Sequence, residues 1–428
     1  MNTLVLDSTR TDQTILGFGC CMSELGHDAL ALLSPADRAT VLDTLFTPGR
    51  GANFTVVRTP VGASDFARDF YSYNEVPGDF AMEHFSLERD ETGLLPLLRA
   101  VKARVPEDEL LVWASPWCPP RWLKRTGKYS SAPMGGDAGS NDFSGPADRV
   151  REGEDGFLAD PAHFAAYALY FRRYVESMRA AGIPVWAVMP QNEPNSDQCF
   201  PSCTWKAETL AEFIGKYLGP ALEGTGVQLF LGTIERPSLD YAETILRDPE
   251  CARYVRGVGF QWAGKDALPG VRAAHPDLLL IQSEQECGDG RNDLAHAWHT
   301  WDLMRHYLGN GVSVYEYWNI ALVDDAISSW GWKQNSLVTV DPVARTFRFN
   351  PEYTFLATLS ANVRRGAKRW MVSGFDDALA FQNPDGGVVV VAANRTDAPV
   401  PLAVEVDGVR RAEVNLAPQG LTATTVRA

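Results

Sequence analysis

The sequence contains no apolar run approaching the ~18 residues that a membrane-spanning helix requires, so membrane insertion is not expected. Its start, MNTLVLDSTR, lacks the basic segment and the apolar segment of a secretory leader. Positive charge is also short. Lys and Arg total 39 against 54 Asp and Glu, giving a net charge of −15. That balance works against nucleic acid or an anionic membrane surface as the main partner. Cysteine is sparse and odd in number, with seven residues at 20, 21, 118, 199, 203, 251 and 287. Only Cys199 and Cys203 are closely spaced, which does not fit the dense, even framework of a disulfide-stapled secreted domain. Free thiols in a reducing cytoplasm are the expectation. No internal repeat is evident, and no G-x-G-x-x-G opens a helix after the first apolar run.

What is present is a chain of 428 residues with 45% hydrophobic and 22% charged residues, ordinary values for globular proteins. At roughly 100–200 residues per domain, it can hold two to four domains, or one large barrel with a smaller partner. Aromatic residues are abundant: 12 Trp, 13 Tyr and 20 Phe. They can fill a large core or supply flat apolar platforms for a ligand such as a sugar.

Eight short apolar runs begin at Ile15, Phe54, Leu110, Val185, Val227, Arg256, Leu278 and Val312. They lack strict alternation, as strands buried on both faces do. Helical signals lie between them. Asp160-Pro161 reads as an N-cap followed by an N1 proline, Phe164, Ala168, Phe171, Val175 and Met178 follow at helical spacing, and Gly182 ends the helix. The pattern predicts an α/β fold, a (β/α)8 barrel over residues 15–362, with a doubly wound sheet as the alternative. Beyond it the texture changes. Short strands at Val388–Ala392, Leu402–Val406 and Leu421–Val426, separated by turn clusters, predict an antiparallel β-sandwich over 363–428. The N-terminal strand within 1–14 is expected to complete that sandwich. The Gly-, Ser- and Asp-rich segment 124–154 follows the third run, and reads either as a lid or subsite loop or as a structureless insertion.

Two carboxylates mark the ends of two runs. The fourth leads into Met189-Pro-Gln-Asn-Glu193, and the seventh into Gln282-Ser-Glu284. In a barrel these strand ends face one another across the pocket. Glycoside hydrolysis with retention needs such a pair about 5–5.5 Å apart, one protonating the leaving oxygen and one attacking the anomeric carbon. For a single glutamate at a strand end, a salt bridge or a solvated rim position is the competing account.

Several segments resemble glycoside hydrolase family 30, the glucosylceramidase-like group of retaining β-glycosidases. They are Asn192-Glu193-Pro194, Ala114-Ser-Pro-Trp-Cys-Pro-Pro-Arg-Trp-Leu-Lys124, Gly17-Phe-Gly19, Arg58-Thr-Pro-Val-Gly-Ala-Ser-Asp-Phe66 and Tyr317-Trp-Asn319, in order along the barrel. The resemblance implies Glu193 as acid/base and Glu284 as nucleophile. It also implies Asn192 on the sugar 2-OH, Asp65 and Trp117 on the sugar, Arg58 supporting the nucleophile, and Trp262 and Trp318 as pocket walls. Two departures stand out. Glu286 follows Glu284 closely and is a rival nucleophile. Gln261 and Ala263 occupy positions where such sequences carry His and Tyr, so either the missing phenol comes from elsewhere or substrate preference differs from that of glucosylceramidases.

Other candidates are weaker. His296, His299 and His306 lie on a helical stretch without the companions of a metal motif. Glu316 can enter the barrel interior. Trp330 and Trp332 can form a platform or a plug, and Asp289, Arg291 and Asp293 can reach substrate or cap a helix. The expected function is an exo-acting, retaining β-glycosidase on a carbohydrate substrate, with no metal and no cofactor; glucoside, xyloside, fucoside and galactoside stay open. A catalytically silent carbohydrate-binding barrel is the alternative. Seven tryptophans (Trp113, Trp117, Trp122, Trp262, Trp318, Trp330 and Trp332) are expected at the barrel face where Glu193 and Glu284 would meet.

Overall fold

The computed structural model describes residues 2–135, 141–325, 327–328 and 331–427. Strand β1 (Asn2–Thr14) precedes a closed parallel barrel of eight strands: β2 (Gly17–Cys21), β3 (Val56–Pro60), β4 (Leu111–Ser115), β5 (Ala187–Val188), β6 (Gln228–Ile234), β7 (Val255–Gln261), β8 (Leu279–Glu284) and β9 (Val314–Asn319). Each coincides with one of the apolar runs. The lumen is packed solid by alternate residues of the strands, among them Val56, Leu111, Trp113, Met189, Phe230, Ile281 and Val314. Neighbouring backbones approach closely at Gly19, where an added Cβ would stand 1.8 Å from the Val56 carbonyl oxygen.

The helix Pro161–Ala180 shows why the outer layer forms. Asp160 caps it by accepting from the Ala162 and His163 amides at 3.0 and 3.2 Å. Phe164, Tyr167, Phe171, Tyr174 and Met178 bury one stripe, and Gly182 takes a left-handed φ of 85° to end the helix.

A three-stranded sheet follows the barrel: β10 (Ala321–Val323), β11 (Val338–Val340) and β12 (Phe347–Phe349). The C-terminal domain adds β13 (Lys368–Ser373), β14 (Ala378–Gln382), β15 (Gly387–Asn394), β16 (Val400–Val406), β17 (Val409–Leu416) and β18 (Gly420–Arg427). They join β1 in the order β17-β16-β1-β13-β14-β15-β18. The N-terminal strand therefore lies mid-sheet. It runs antiparallel to β13 and parallel to β16, the one parallel pairing in an otherwise antiparallel domain. Leu4, Leu6, Trp370, Val390, Val404 and Val426 form this domain's own core, while Phe381, Val389 and Val391 on the opposite face join the barrel's outer core.

No helix among the described residues is long and apolar enough to cross a membrane. All seven cysteines are free.

Candidate active site

The carboxyl ends of the barrel strands open onto a cavity of about 400 Å³ lined by Asp65, Trp117, Asn192, Glu193, Glu284 and Trp262, with Ser196, Gln198, Phe200, Glu235, Arg236, Ala263, Trp332 and Gln334 around them. Glu284 is the last residue of β8 and Glu193 lies just past β5, so one rigid frame holds both. Glu193 adopts a left-handed φ of 49°, a conformation that costs an L-residue energy and that recurs at functional positions.

The two carboxylates have different surroundings. Glu284 Oε2 receives a 2.7 Å charge-assisted hydrogen bond from Arg58, and Oε1 accepts from the Trp262 indole Nε1 at 3.1 Å. Burial raises the Glu284 pKa, and Arg58 and Trp262 pull against that rise. Gln261 Nε2 donates to Glu193 Oε1 at 3.1 Å, and among the described residues no ion pair reaches Glu193; Arg236 on the cavity wall acts on it only at longer range. Burial, then the charge of Glu284, push Glu193 up to about 7.

Arg58 is fully buried and ties the site together. Besides Glu284 it donates to Asn192 Oδ1 at 2.6 Å, Ser115 Oγ at 3.0 Å and the Ser283 carbonyl at 3.0 Å. Its guanidinium lies 4.9, 4.4 and 5.5 Å from the ring centroids of Trp113, Trp117 and Trp318. Asn192 Oδ1 also accepts from Thr233 Oγ1 at 3.1 Å and Gln261 Nε2 at 3.3 Å. Asn192 lines the cavity, and with its Oδ1 so engaged its amide Nδ2 remains as the donor available to a ligand.

The remaining candidates divide. Asp65, Trp117 and Trp262 line the cavity. Trp318 does not; it stacks behind Trp117 with centroids 5.3 Å apart. The tryptophan expectation is thus corrected in part. Trp113 fills the barrel lumen and donates to Glu316, because its position in mid-strand points it inward. Trp122 packs on Phe80 and donates to the Asn74 carbonyl, away from the cavity. Trp332 lines the cavity beside Trp262, and Trp330 lies outside the described residues.

Glu286, the rival, does not line this cavity. It contacts Lys265 and His299 at 2.9 and 2.8 Å; burial would raise its pKa, but the hydrogen bonds from His299 and Lys265 outweigh burial and hold it down to about 2. The histidines are accounted for: His299 and His296 contact the Glu286 carboxylate and carbonyl, and His306 contacts the Lys265 carbonyl. Among the described residues no group of three or more His, Cys, Asp or Glu is placed to hold a metal. Asp293 caps the helix Leu294–Gly309 through the His296 amide. The segment 124–154 is anchored at Lys124, Tyr129–Ala132 and Val150, which are buried, while most of its other described residues are partly or fully exposed. The Ser131 and Ala132 amides donate to the Gln198 carbonyl, and Glu152 pairs with Arg236 at 3.1 Å. It buttresses the cavity wall from outside.

Two site residues escaped the sequence reading. Thr233 and Glu235, at and just past the end of β6, carry no motif; only their strand-end position marks them. Glu235 Oε1 accepts from the Asn195 amide at 2.8 Å and Ser196 Oγ at 3.1 Å, pinning the loop after Glu193. Its Oε2 is buried without a partner, and burial pushes its pKa up to about 8. Ala263, which stands where the family resemblance expects a tyrosine, lines the cavity, and next to it the Trp262 indole donates to Glu284.

Residues 15–363 match the glycosyl hydrolase family 30 TIM-barrel domain, and residues 366–426 match the family 30 beta sandwich domain. Among curated proteins, the chain is 26% identical to the lysosomal acid glucosylceramidase of Mus musculus, over 94% of this chain and 79% of that protein. It is 27% identical to an endo-1,6-beta-D-glucanase of Neurospora crassa, over 94% of this chain and 83% of that protein. Among solved structures, SrfJ from Salmonella typhimurium superimposes with a TM-score of 0.86 at 23% identity, covering all of this chain and 93% of that one.

Proposed function

Since this chain belongs to glycosyl hydrolase family 30 and is a retaining glycoside hydrolase, we propose that it is an exo-acting β-D-glucosidase with Glu193 as acid/base and Glu284 as nucleophile. One observation carries the residue assignment: two buried glutamates line one cavity, one paired with Arg58 and one raised to about 7 without a contacting cation.

The proposed reaction has two displacements. In the first, Glu193 gives its proton to the glycosidic oxygen while ionised Glu284 forms a bond to the anomeric carbon, and the aglycone leaves as an alcohol. The glycosyl ester neutralises Glu284, which removes a charge that kept Glu193 protonated. Glu193, now ionised, takes a proton from water as the water oxygen attacks the anomeric carbon from the aglycone's side. Glu284 departs as carboxylate, and the configuration is retained. Asn192 Nδ2 is suited to donate to the sugar 2-OH, and Asp65 and Trp117 to bind the rest of the ring.

Two features support the sugar and the mode. The two relatives, a glucosylceramidase and an endo-1,6-beta-D-glucanase, are both named for a glucosyl substrate. The cavity, at about 400 Å³, is near the small end of ligand sites, which span about 300–1,000 Å³. A second reading, endo-cleavage of a 1,6-β-D-glucan, is favoured by one feature: a groove of about 440 Å³ lined by Asp289, Arg291, His296 and His299 adjoins the cavity across Trp262 and Trp332.

Aryl β-glycosides, with the first-formed anomer followed by NMR, test the reaction. The β-anomer of glucose is expected, and an α-anomer would overturn the double displacement. Digestion of β-1,6-linked glucose oligomers separates the modes: glucose alone at early times supports exo action, and mixed oligomers support the endo reading.

A further inference from the structure

Two residues beyond Glu284, the same strand end carries Glu286, a carboxylate with no part in the reaction just described. Lys265 Nζ contacts one of its oxygens at 2.9 Å and His299 Nε2 the other at 2.8 Å. His296 contacts its carbonyl, with Asp289 and Asp293 beyond. The same Lys265 Nζ donates to the backbone carbonyl of Trp262 at 3.1 Å. Trp262 has a left-handed φ of 47°. A bulky L-residue persists there only when its surroundings hold it. From that conformation the indole Nε1 donates to Glu284 Oε1 at 3.1 Å. A continuous chain of contacts thus runs from Glu286 through Lys265 and Trp262 to Glu284, and it reaches Glu284 on the oxygen opposite the one held by Arg58.

We propose that Glu286 is a positioning residue: by fixing Lys265 on the Trp262 carbonyl, it holds the indole N–H on the nucleophile. The inference rests on the assignment of Glu284 as nucleophile. An ammonium stripped of its carboxylate partner has no reason to stay on a single carbonyl, so loss of Glu286 releases the turn at Trp262. The indole N–H favours the ionised form of Glu284, as Arg58 does, against burial. Losing that donor raises the Glu284 pKa and moves the acidic limb of kcat/KM to higher pH. A salt bridge that served stability alone would lower the melting temperature and leave the limb in place.

The test uses E286Q, W262F, the double variant E286Q/W262F and K265M. kcat/KM is measured against pH on the aryl β-glycoside that the wild type turns over fastest. Each protein is also labelled with the matching 2-deoxy-2-fluoro glycoside and its adduct mapped. E286Q is expected to lose about tenfold in kcat/KM at acidic pH and to move the acidic limb up by about one pH unit. W262F, which keeps a ring but not the N–H, should move the limb at least as far. The double variant should match W262F, because both changes act through one indole. K265M should reproduce the shift, and it carries the test if E286Q does not fold. An unmoved limb in E286Q or K265M, or shifts that add in the double variant, would overturn the proposal. The adduct is expected on Glu284 throughout. An adduct on Glu286 would instead overturn the nucleophile assignment on which the proposal stands.

Discussion

Arg58 touches Glu284, Asn192, Ser115 and Ser283 from a fully buried position, so its removal acts on both chemistry and folding. Arg58→Met should raise the Glu284 pKa and leave a buried carboxylate without its cation, at a cost of about 3–5 kcal/mol in stability. Urea denaturation checks the cost, and an unchanged midpoint would contradict this account of the site. Glu193 makes a second prediction. The acid form is required for the first displacement, and it is lost as pH rises through about 7. The basic limb of kcat/KM should therefore fall near pH 7. In Glu193→Ala this limb should disappear, and azide should restore turnover of an activated aryl glycoside; a limb that persists would assign the proton elsewhere. At this scale the motifs located a cluster: Asp65, Trp117, Asn192, Glu193 and Glu284 line one cavity, with Arg58 in contact with Glu284 and Asn192, and the roles given to them are those proposed above. The donor role of Trp262 was hidden because it depends on a left-handed backbone that no residue type announces. Glu235 was hidden because a lone glutamate past a strand reads as a rim residue.

Elements long enough to bury apolar residues on both faces were readable. All eight barrel strands lie on or within a few residues of their runs, since burial inside and outside the barrel requires continuous apolar sequence. The strands left unread had weak patterns for physical reasons. β11 and β12 have three residues each, and β17 carries Arg410, Arg411 and Glu413 on a largely exposed stretch. For the segment 124–154 composition left two readings open, because the hydrogen bonds of Ser130, Ser131 and Ala132 to the 198–202 loop are long-range contacts that no local pattern announces. β1 supplies the element-scale prediction. It is inserted between β13 and β16, and Leu4 is wholly buried among Trp370, Val390 and Val404. Leu4→Ala should cost about 2–5 kcal/mol, because packing on both flanks limits collapse of the cavity. Urea unfolding of the intact chain measures it, and a loss below 1 kcal/mol would mean that β1 is dispensable to the sheet.

Across the whole molecule, several buried carboxyl groups share one electrostatic condition. Burial raises Glu193 and Glu352 to about 7, and Glu235 and Glu316 to about 8. Between the ordinary carboxylate value near 4.5 and those values, the native state binds more protons than the unfolded chain. Stability must then fall as pH rises through that window. Glu286 and Asp79 act in the opposite sense. Both are lowered to about 2, so their contribution is present above the ordinary carboxylate range and is lost as pH falls toward 2. The net charge of −15 adds self-repulsion on the alkaline side. Maximum stability is therefore expected near pH 5, at the acidic end of the range of about pH 5–8 common to globular proteins. Calorimetric melts from pH 4 to 9 should show the melting temperature declining above pH 6. Glu316 isolates the cause without touching the cavity. It lies in the barrel lumen, accepts from Trp113 and leaves Oε1 unpartnered. Glu316→Gln keeps an acceptor for the indole and removes the ionisation. At about 1.4 kcal/mol per pH unit over which the native state holds the extra proton, the variant should gain about 1–3 kcal/mol at pH 8 and little at pH 5. An equal effect at both pH values would mean that packing, not protonation, governs the lumen.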